Sequence, residues 1–380
     1  MQTVLSDGQL SWHLYNNTVD AYVTQRGAHL GPVRYQLPNG VFQPYHVAPW
    51  AEEDDLDPET PEVLKVLRGD WFCLPFGLSD EPGRESGHPL HGQPANETWR
   101  FVSEEIEGAR TTLVLAMDTS IRPGHVERRI SIVENEPVVY QEAIVTGMSG
   151  PMTFGTHPTL AFPSRAGSGL IALSPYDFGQ VFPGEFEDPE TGGVTSLQPG
   201  AHFSNLNSIP RKDGSIADVS RYPAEYGFEN MLMVMANPKA ETGWSAVTFP
   251  NEGYVWFSLR DPQVLTGTAI WMSNGGRPYA PWNSRNKHCL GLEDITSYWG
   301  FGVSVSSGFN PYNQKGYRTH VDMQPDKPLV VRTIQGLHPV TKQHGRVRSI
   351  DQELEGVRIT FETGQVERVK LDSTFVWPTK

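Results

Sequence analysis

Residues 231–259, MLMVMANPKAETGWSAVTFPNEGYVWFSL, contain three compact apolar runs, 231–236, 244–249 and 254–259, separated by Asn-Pro and Pro-Asn-Glu-Gly turn signals. Runs this short between turn residues read as β-strands rather than helices. The same texture recurs outward in both directions, at 21–23, 112–115, 130–133, 138–144 and 300–305. The best helical window, 61–67, is one or two turns long. The chain carries 37 glycines and 31 prolines spread along its length, with 17 phenylalanines, 13 tyrosines and ten tryptophans. That composition favours strands and turns. Many strands, frequent turns and almost no helix predict an all-β protein built as a large antiparallel β-sandwich or barrel.

At 380 residues the chain could hold two average domains, but large all-β domains often use that length as one unit. Residues 1–330 are expected to form one sandwich, and 331–380 a small β extension packed on it, with no role assigned. Long loops rich in Pro, Gly, Asn and acidic residues fall at 43–62, 76–90, 183–229 and 273–288; loops of that length commonly rim a functional site. The acidic run Glu52-Glu53-Asp54-Asp55-Leu56-Asp57 lacks the ligand spacing and central glycine of a calcium loop and reads as solvated.

A formal charge of −14 repels phosphate backbones and anionic lipid, so neither nucleic acid nor membrane is an expected partner. The N-terminus has no basic segment followed by an apolar one, and no apolar run is long enough to cross a bilayer. A cytoplasmic protein is expected. Cys73 and Cys289 are the two cysteines, too few for a disulfide framework, and read as free thiols. The sequons at Asn16 and Asn96 then carry no meaning. Oligomeric state is not legible.

The densest chemistry lies in 68–100, RGDWFCLPFGLSDEPGRESGHPLHGQPANETWR, where Trp71 and Phe72, His88 and His91, and Asn96 and Trp99 surround a Pro/Gly-rich turn that reads as non-helical. A sugar presents hydroxyl edges and apolar C–H faces, so its pocket needs aromatic platforms beside His, Asn, Arg and carboxylates. The same residues also fill ordinary cores. In FGTHPTLAF, 154–162, His157 stands among small and apolar residues, as a satisfied core histidine or a site residue. In HCLGLEDITSYWGFG, 288–302, Glu293 ends an apolar strand, where an unpaired carboxylate is costly. It is either functional or paired with Arg277 or Arg285. A metal site of His88, His91 and the two cysteines is the weakest pattern, since neither CxxC nor HExxH is present.

Together these segments resemble the aldose 1-epimerase, or galactose mutarotase-like, family. HPLHG with the following Trp99, preceded by FCLPFG, resembles the family's first signature, and THPTLAF its second. GFENMLMV, 227–234, resembles the segment with a sugar-binding acid, and PQVLTGTAIWMSNGG with CLGLED the closing strands that end in the catalytic Glu. The resemblance covers about residues 20–310. It implies the galactose mutarotase-like supersandwich fold, Glu293 as catalytic base, His157 as general acid, and His91 and Glu229 as sugar-binding residues. Glu229 stands where relatives usually carry Asp, and a slip of register would put Glu225 there instead. Asn96, Trp71, Trp271 and Arg277 complete the expected binding set. The family's Arg after the His-Gly pair is missing: Ala95 and Asn96 stand there, with Arg84, Arg26 or Arg277 as possible substitutes.

The resemblance implies interconversion of sugar anomers. A base takes the proton of the anomeric hydroxyl while an acid protonates the ring oxygen, with no cofactor or metal. Such a mechanism asks that Glu293 be ionised and His157 protonated, which their opposite charges would favour. Two alternatives stay open: a non-catalytic carbohydrate-binding protein, and an isomerase or epimerase of a modified or phosphorylated sugar. The last would need a basic cluster, for which Arg26, Arg68, Arg84, Arg277, Arg285 and Lys287 are candidates.

Overall fold

The computed structural model describes residues 1–78 and 87–377. The apolar runs 231–236, 244–249 and 254–259 form the strands Phe228–Ala236, Gly243–Phe249 and Tyr254–Arg260. They do not share one sheet. Gly243–Phe249 and Tyr254–Arg260 form a hairpin closed by Gly253, whose φ of +93° places it in the left-handed region that glycine tolerates. Phe228–Ala236 pairs instead with Gly267–Asn274, in the opposing sheet.

Among the described residues the chain is an antiparallel β-sandwich. One sheet has nine strands, in the order Arg221–Tyr222, Gly169–Leu173, Gly243–Phe249, Tyr254–Arg260, Leu329–Pro339, Val138–Thr146, Gly124–Val133, Arg110–Thr119 and Arg100–Glu107. The other has eight. It runs from His202–Phe203 through Tyr176–Val181, Phe228–Ala236, Gly267–Asn274, Cys289–Thr296 and Phe154–Thr156 to Phe72–Cys73, with Thr159–Ala161 also paired to Cys289–Thr296. A five-stranded meander, Thr3–Ser6 through Gly40–Phe42, precedes both.

Strand alternation explains the layers. From the eight-stranded sheet, Leu232, Val234, Ile270, Met272, Leu290 and Leu292 enter the main core with Val139, Val247, Phe249, Trp256 and Leu337 of the other sheet. The intervening residues Met233, Met235, Ala269, Trp271, Cys289 and Ile295 face the opposite way, under a roof of Trp50, Trp71, Trp282, Trp299 and Tyr312. This second face carries the candidate site.

The strand Leu329–Pro339 straddles residue 330 and lies in the interior of the nine-stranded sheet. Beyond it, Val347–Glu353, Gly356–Phe361 and Val366–Lys370 form a small sheet. Its Ile350, Val357, Ile359 and Phe361 cover Val255, Phe257 and Leu259 on the outer face of the nine-stranded sheet.

Two local expectations are corrected. Residues 300–305 form no strand; the strand Cys289–Thr296 has already ended, and Gly302, at φ +84°, caps the short helix Val303–Ser307. The turn within 68–100 contains one helical turn, Gln93–Asn96, whose Pro94 sits in the first turn, where a missing N–H costs nothing. The helical window at 61–67 is observed as Glu62–Lys65. Among the described residues no helix is long and apolar enough to cross a membrane.

Candidate active site

Cys289–Thr296 is the strand that builds the site. Its residues Cys289, Gly291, Glu293 and Ile295 alternate onto the roofed face, while Asp294 points into the sandwich and pairs with Arg260 Nη1 at 2.9 Å. Glu293 is 1% exposed. Opposite Glu293 across the neighbouring strand stands Ala269, whose small side chain leaves room above the carboxylate.

His157 sits between Phe154–Thr156 and Thr159–Ala161, where Pro158 interrupts the pairing. Its backbone N–H is shared between the Trp71 carbonyl, 3.1 Å, and Asp70 Oδ1, 2.8 Å. Its ring stacks on Trp71 at 4.0 Å between centroids, and Trp71 stacks on His29 at 4.5 Å. Thr159 Oγ1 donates to the His157 carbonyl and stands 3.2 Å from Nδ1, so Nδ1 donates to that oxygen and Nε2 presents its lone pair. Nε2 lies 3.3 Å from Glu293 Oε1.

Asp70 is the anchor of this arrangement and had no role in the sequence reading. Besides His157, it accepts from Gln141 Nε2 and Gln335 Nε2, both at 2.7 Å. Asp70→Asn would turn an amide NH₂ toward donors, leaving at least one buried donor unpaired. Urea unfolding of that variant is expected to show a loss of about 1–3 kcal/mol.

His91, at φ +62°, faces the same space, 4.9 Å from the His157 ring. Its Nδ1 accepts from the Gly77 N–H at 3.3 Å, so the neutral ring carries its proton on Nε2. Burial pushes His91 down to about 3.

Arg277 enters from the 273–288 loop and lines the cavity. It lies over the Trp282 ring at 4.4 Å and the Trp271 ring at 5.5 Å. Glu187 holds it, with Nη2–Oε1 at 2.6 Å, and Tyr279 OH donates to the other Glu187 oxygen at 2.7 Å. Glu187 and Tyr279 were missed in sequence: Glu187 sits in an acidic, proline-flanked loop that has no pattern.

Glu229 is fully buried beside the cavity rather than in its lining. It accepts from Trp271 Nε1, 3.1 Å, Ser273 Oγ, 2.9 Å, and the Gly276 N–H, 3.2 Å, so it fixes Trp271 and the start of the Arg277 loop. Burial pushes it up to about 7. Glu225 is exposed and pairs with Arg211. Asn96 also lies outside the lining, its side chain committed to the Val63 N–H and the carbonyls of Leu90 and Gly92. Trp71, Trp271, His91, His157, Arg277 and Glu293 are brought together around one cavity of about 450 Å³.

The salt bridge that would have made Glu293 structural is absent. Arg285 is taken by Glu53, and the partners of Arg277 are Glu187 and, at 4.0 Å, Glu229. No protein donor among the described residues makes a hydrogen bond to either Glu293 oxygen. Burial therefore pushes Glu293 up to about 8, against the opposing pull of Arg277. Burial also lowers His157 well below its ordinary value, and the neighbouring His91 and His29 add to this. Desolvation thus works against the protonation states expected from the sequence, favouring the neutral form of both Glu293 and His157.

The candidate basic cluster does not converge. Arg26 pairs with Glu62, Arg68 is spent on the carbonyls of Ser6, Asp7 and Val66, and Lys287 lies over the Tyr226 ring. Of those described, Arg277 alone lines the cavity; Arg84 lies outside the described residues. Both cysteines are free and buried. Among the described residues no group of three or more His, Cys, Asp or Glu side chains could hold a metal ion.

No protein-family model matches the sequence, and no curated protein matches it. Solved structures do match in shape. A galactose mutarotase related enzyme from Lactobacillus acidophilus aligns over 87% of this chain and 98% of its own, at 12% identity and a TM-score of 0.54. A galactose mutarotase-like protein from Clostridium acetobutylicum covers 89% of this chain and 98% of its own, at 11% identity and a TM-score of 0.58. A candidate aldose 1-epimerase from Klebsiella pneumoniae covers 88% and 80%, at 12% identity and a TM-score of 0.62. The β-sandwich of this chain, with its roofed second face, therefore has the galactose mutarotase-like fold.

Proposed function

We propose that this chain interconverts the α and β anomers of a sugar by acid–base ring opening, with Glu293 and His157 as the proton-transferring pair. The observation that carries this reading is a carboxylate buried at the floor of an aromatic cavity, without a hydrogen-bond donor among the described residues and 3.3 Å from an imidazole nitrogen. A structural carboxylate would have partners; this one suits a hydroxyl brought by a ligand.

The chemistry needs one mobile proton. Burial favours its residence on Glu293. A sugar hydroxyl donated to Glu293 stabilises the ionised form and moves the proton toward His157. Glu293 then takes the proton of the anomeric hydroxyl as His157 Nε2 delivers one to the ring oxygen, and the C1–O5 bond breaks to give the open aldehyde. Rotation about C1–C2 and the reverse transfers close the other anomer and restore the pair. Trp71 holds the imidazole plane by stacking, and the His91 Nε2–H is placed to donate to a sugar oxygen. Arg277, positioned by Glu187, supplies a cation at the cavity wall in place of the arginine absent at Ala95 and Asn96.

Saturation-transfer NMR on a panel of reducing sugars tests the reading. Acceleration of anomer exchange for at least one sugar is expected; binding without exchange for every sugar would favour the non-catalytic carbohydrate-binding alternative. A phosphorylated substrate finds less support, because the carboxylates of Glu187 and Glu229 already face Arg277. The pH profile follows from the shared proton. The competent pair holds one proton, kept up to about pH 8 by the raised Glu293 and not doubled at neutral pH because His157 is lowered. For the free protein, kcat/KM is expected to be flat from about pH 6 to 7 and to fall above about pH 8.

A further inference from the structure

The cavity is roomier and less polar than a bare sugar requires. It measures about 450 Å³. A hexopyranose has about a dozen heavy atoms, each taking up well under the roughly 30 Å³ of a liquid water, and so leaves part of that space unfilled. Among the described residues, the ionisable side chains that line it stand in two groups, beside the indole N–H groups of Trp71 and Trp299. His91, His157 and Glu293 form one, and Glu187, Arg277 and Tyr279, largely bonded to each other, form the main part of the other.

Much of the remaining wall is aliphatic or aromatic, with Leu64, Leu67, Phe182 and Phe301 prominent. Phe182 and Phe301 pack against each other with ring centroids 5.1 Å apart. A hydroxyl turned to such a wall gives up its water and gains no protein partner. A methylene-sized apolar group in the same place gains about tenfold or more in affinity.

We infer that the site takes a reducing sugar bearing an apolar substituent, deoxygenated, acylated or arylated, which lies against Leu64, Leu67, Phe182 and Phe301 while the free anomeric hydroxyl meets Glu293 and His157. This rests on the acid–base reading for where the anomeric carbon sits. The apolar wall sets which sugars enter, and the two polar groups set how they are oriented.

Calorimetric binding and saturation-transfer NMR with glucose, galactose, their 6-deoxy forms and their 6-O-benzyl ethers test it. At least one apolar derivative is expected to bind about tenfold or more tightly than its parent hexose. Leu64→Asn and, separately, Phe301→Ser are expected to shrink that ratio to about threefold or less, with folding checked by thermal melting of each. Parent hexoses that bind as tightly as every apolar derivative overturn the inference, whether or not their anomers exchange. Tighter binding of an apolar derivative with no exchange of any sugar upholds the inference and removes the acid–base reading instead.

Discussion

Glu293→Gln is expected to abolish anomer exchange and, at alkaline pH, to make the protein more stable. The substitution keeps the shape of the side chain and removes the group that takes or gives the proton, so a loss of at least about 10²–10⁴-fold is expected in saturation-transfer NMR. The stability effect has its own sign. Glu293 titrates at about 8 in the folded protein, and near the ordinary value of roughly 4.3 when unfolded. Between those values the folded protein holds a proton that the unfolded chain has released. The folded state therefore loses stability as pH rises through that window. Glutamine has no such titration. The variant's Tm is expected to lie close to the parent's near pH 5 and to exceed it increasingly up to about pH 8, above which the stability difference levels off at a few kcal/mol. Parallel Tm curves from pH 5 to 9 would mean that Glu293 is not desolvated as described, and full exchange activity in the variant would remove it from the mechanism.

The adjacent residue predicts the opposite behaviour. Asp294 points into the sandwich, where it meets Arg260 Nη1 at 2.9 Å and Thr268 Oγ1 at 2.9 Å. Arg260 comes from the nine-stranded sheet, so this pair ties the two sheets together through the core. Asp294→Ala strands a buried guanidinium and is expected to cost about 3–5 kcal/mol in urea unfolding. The double variant Arg260→Met with Asp294→Leu is expected to recover most of that loss, because neither charge is then left alone. A single-variant loss no larger than that of an ordinary surface substitution, within about 0.5 kcal/mol, would show that the pair contributes little.

This contrast between neighbours marks how far the sequence can be read. That Glu293 and Asp294 face opposite sides follows from a strand's period of two, and the strand was legible from its apolar residues. Which side holds a cavity was not. That depended on Trp71, Trp282 and Trp299 arriving from distant loops to roof one face, while Trp256 and Leu337 closed the other. Glu229 was read as a binding acid from its place in GFENMLMV, yet its carboxylate is consumed by Trp271, Ser273 and Gly276. Asn96 was read from its company of histidines and aromatics, and its side chain instead ties the helix Glu62–Lys65 to the turn at Leu90 and Gly92. In both cases the residue type was suited to a sugar; long-range hydrogen bonds claimed it first.

The sequence by itself determined the all-β class and most of the strands read from it, because these depend on local periodicity; the cost of placing a carboxylate among apolar neighbours marked Glu293, and the family resemblance supplied its role and that of His157. Only the tertiary structure decided that neither Arg277 nor Arg285 pairs with Glu293, that Arg277 is held by Glu187, and that burial favours the neutral carboxyl. Desolvation and pairing depend on every atom within a few ångströms, and those atoms come from segments as far apart in the chain as Trp71, Glu187 and Trp282.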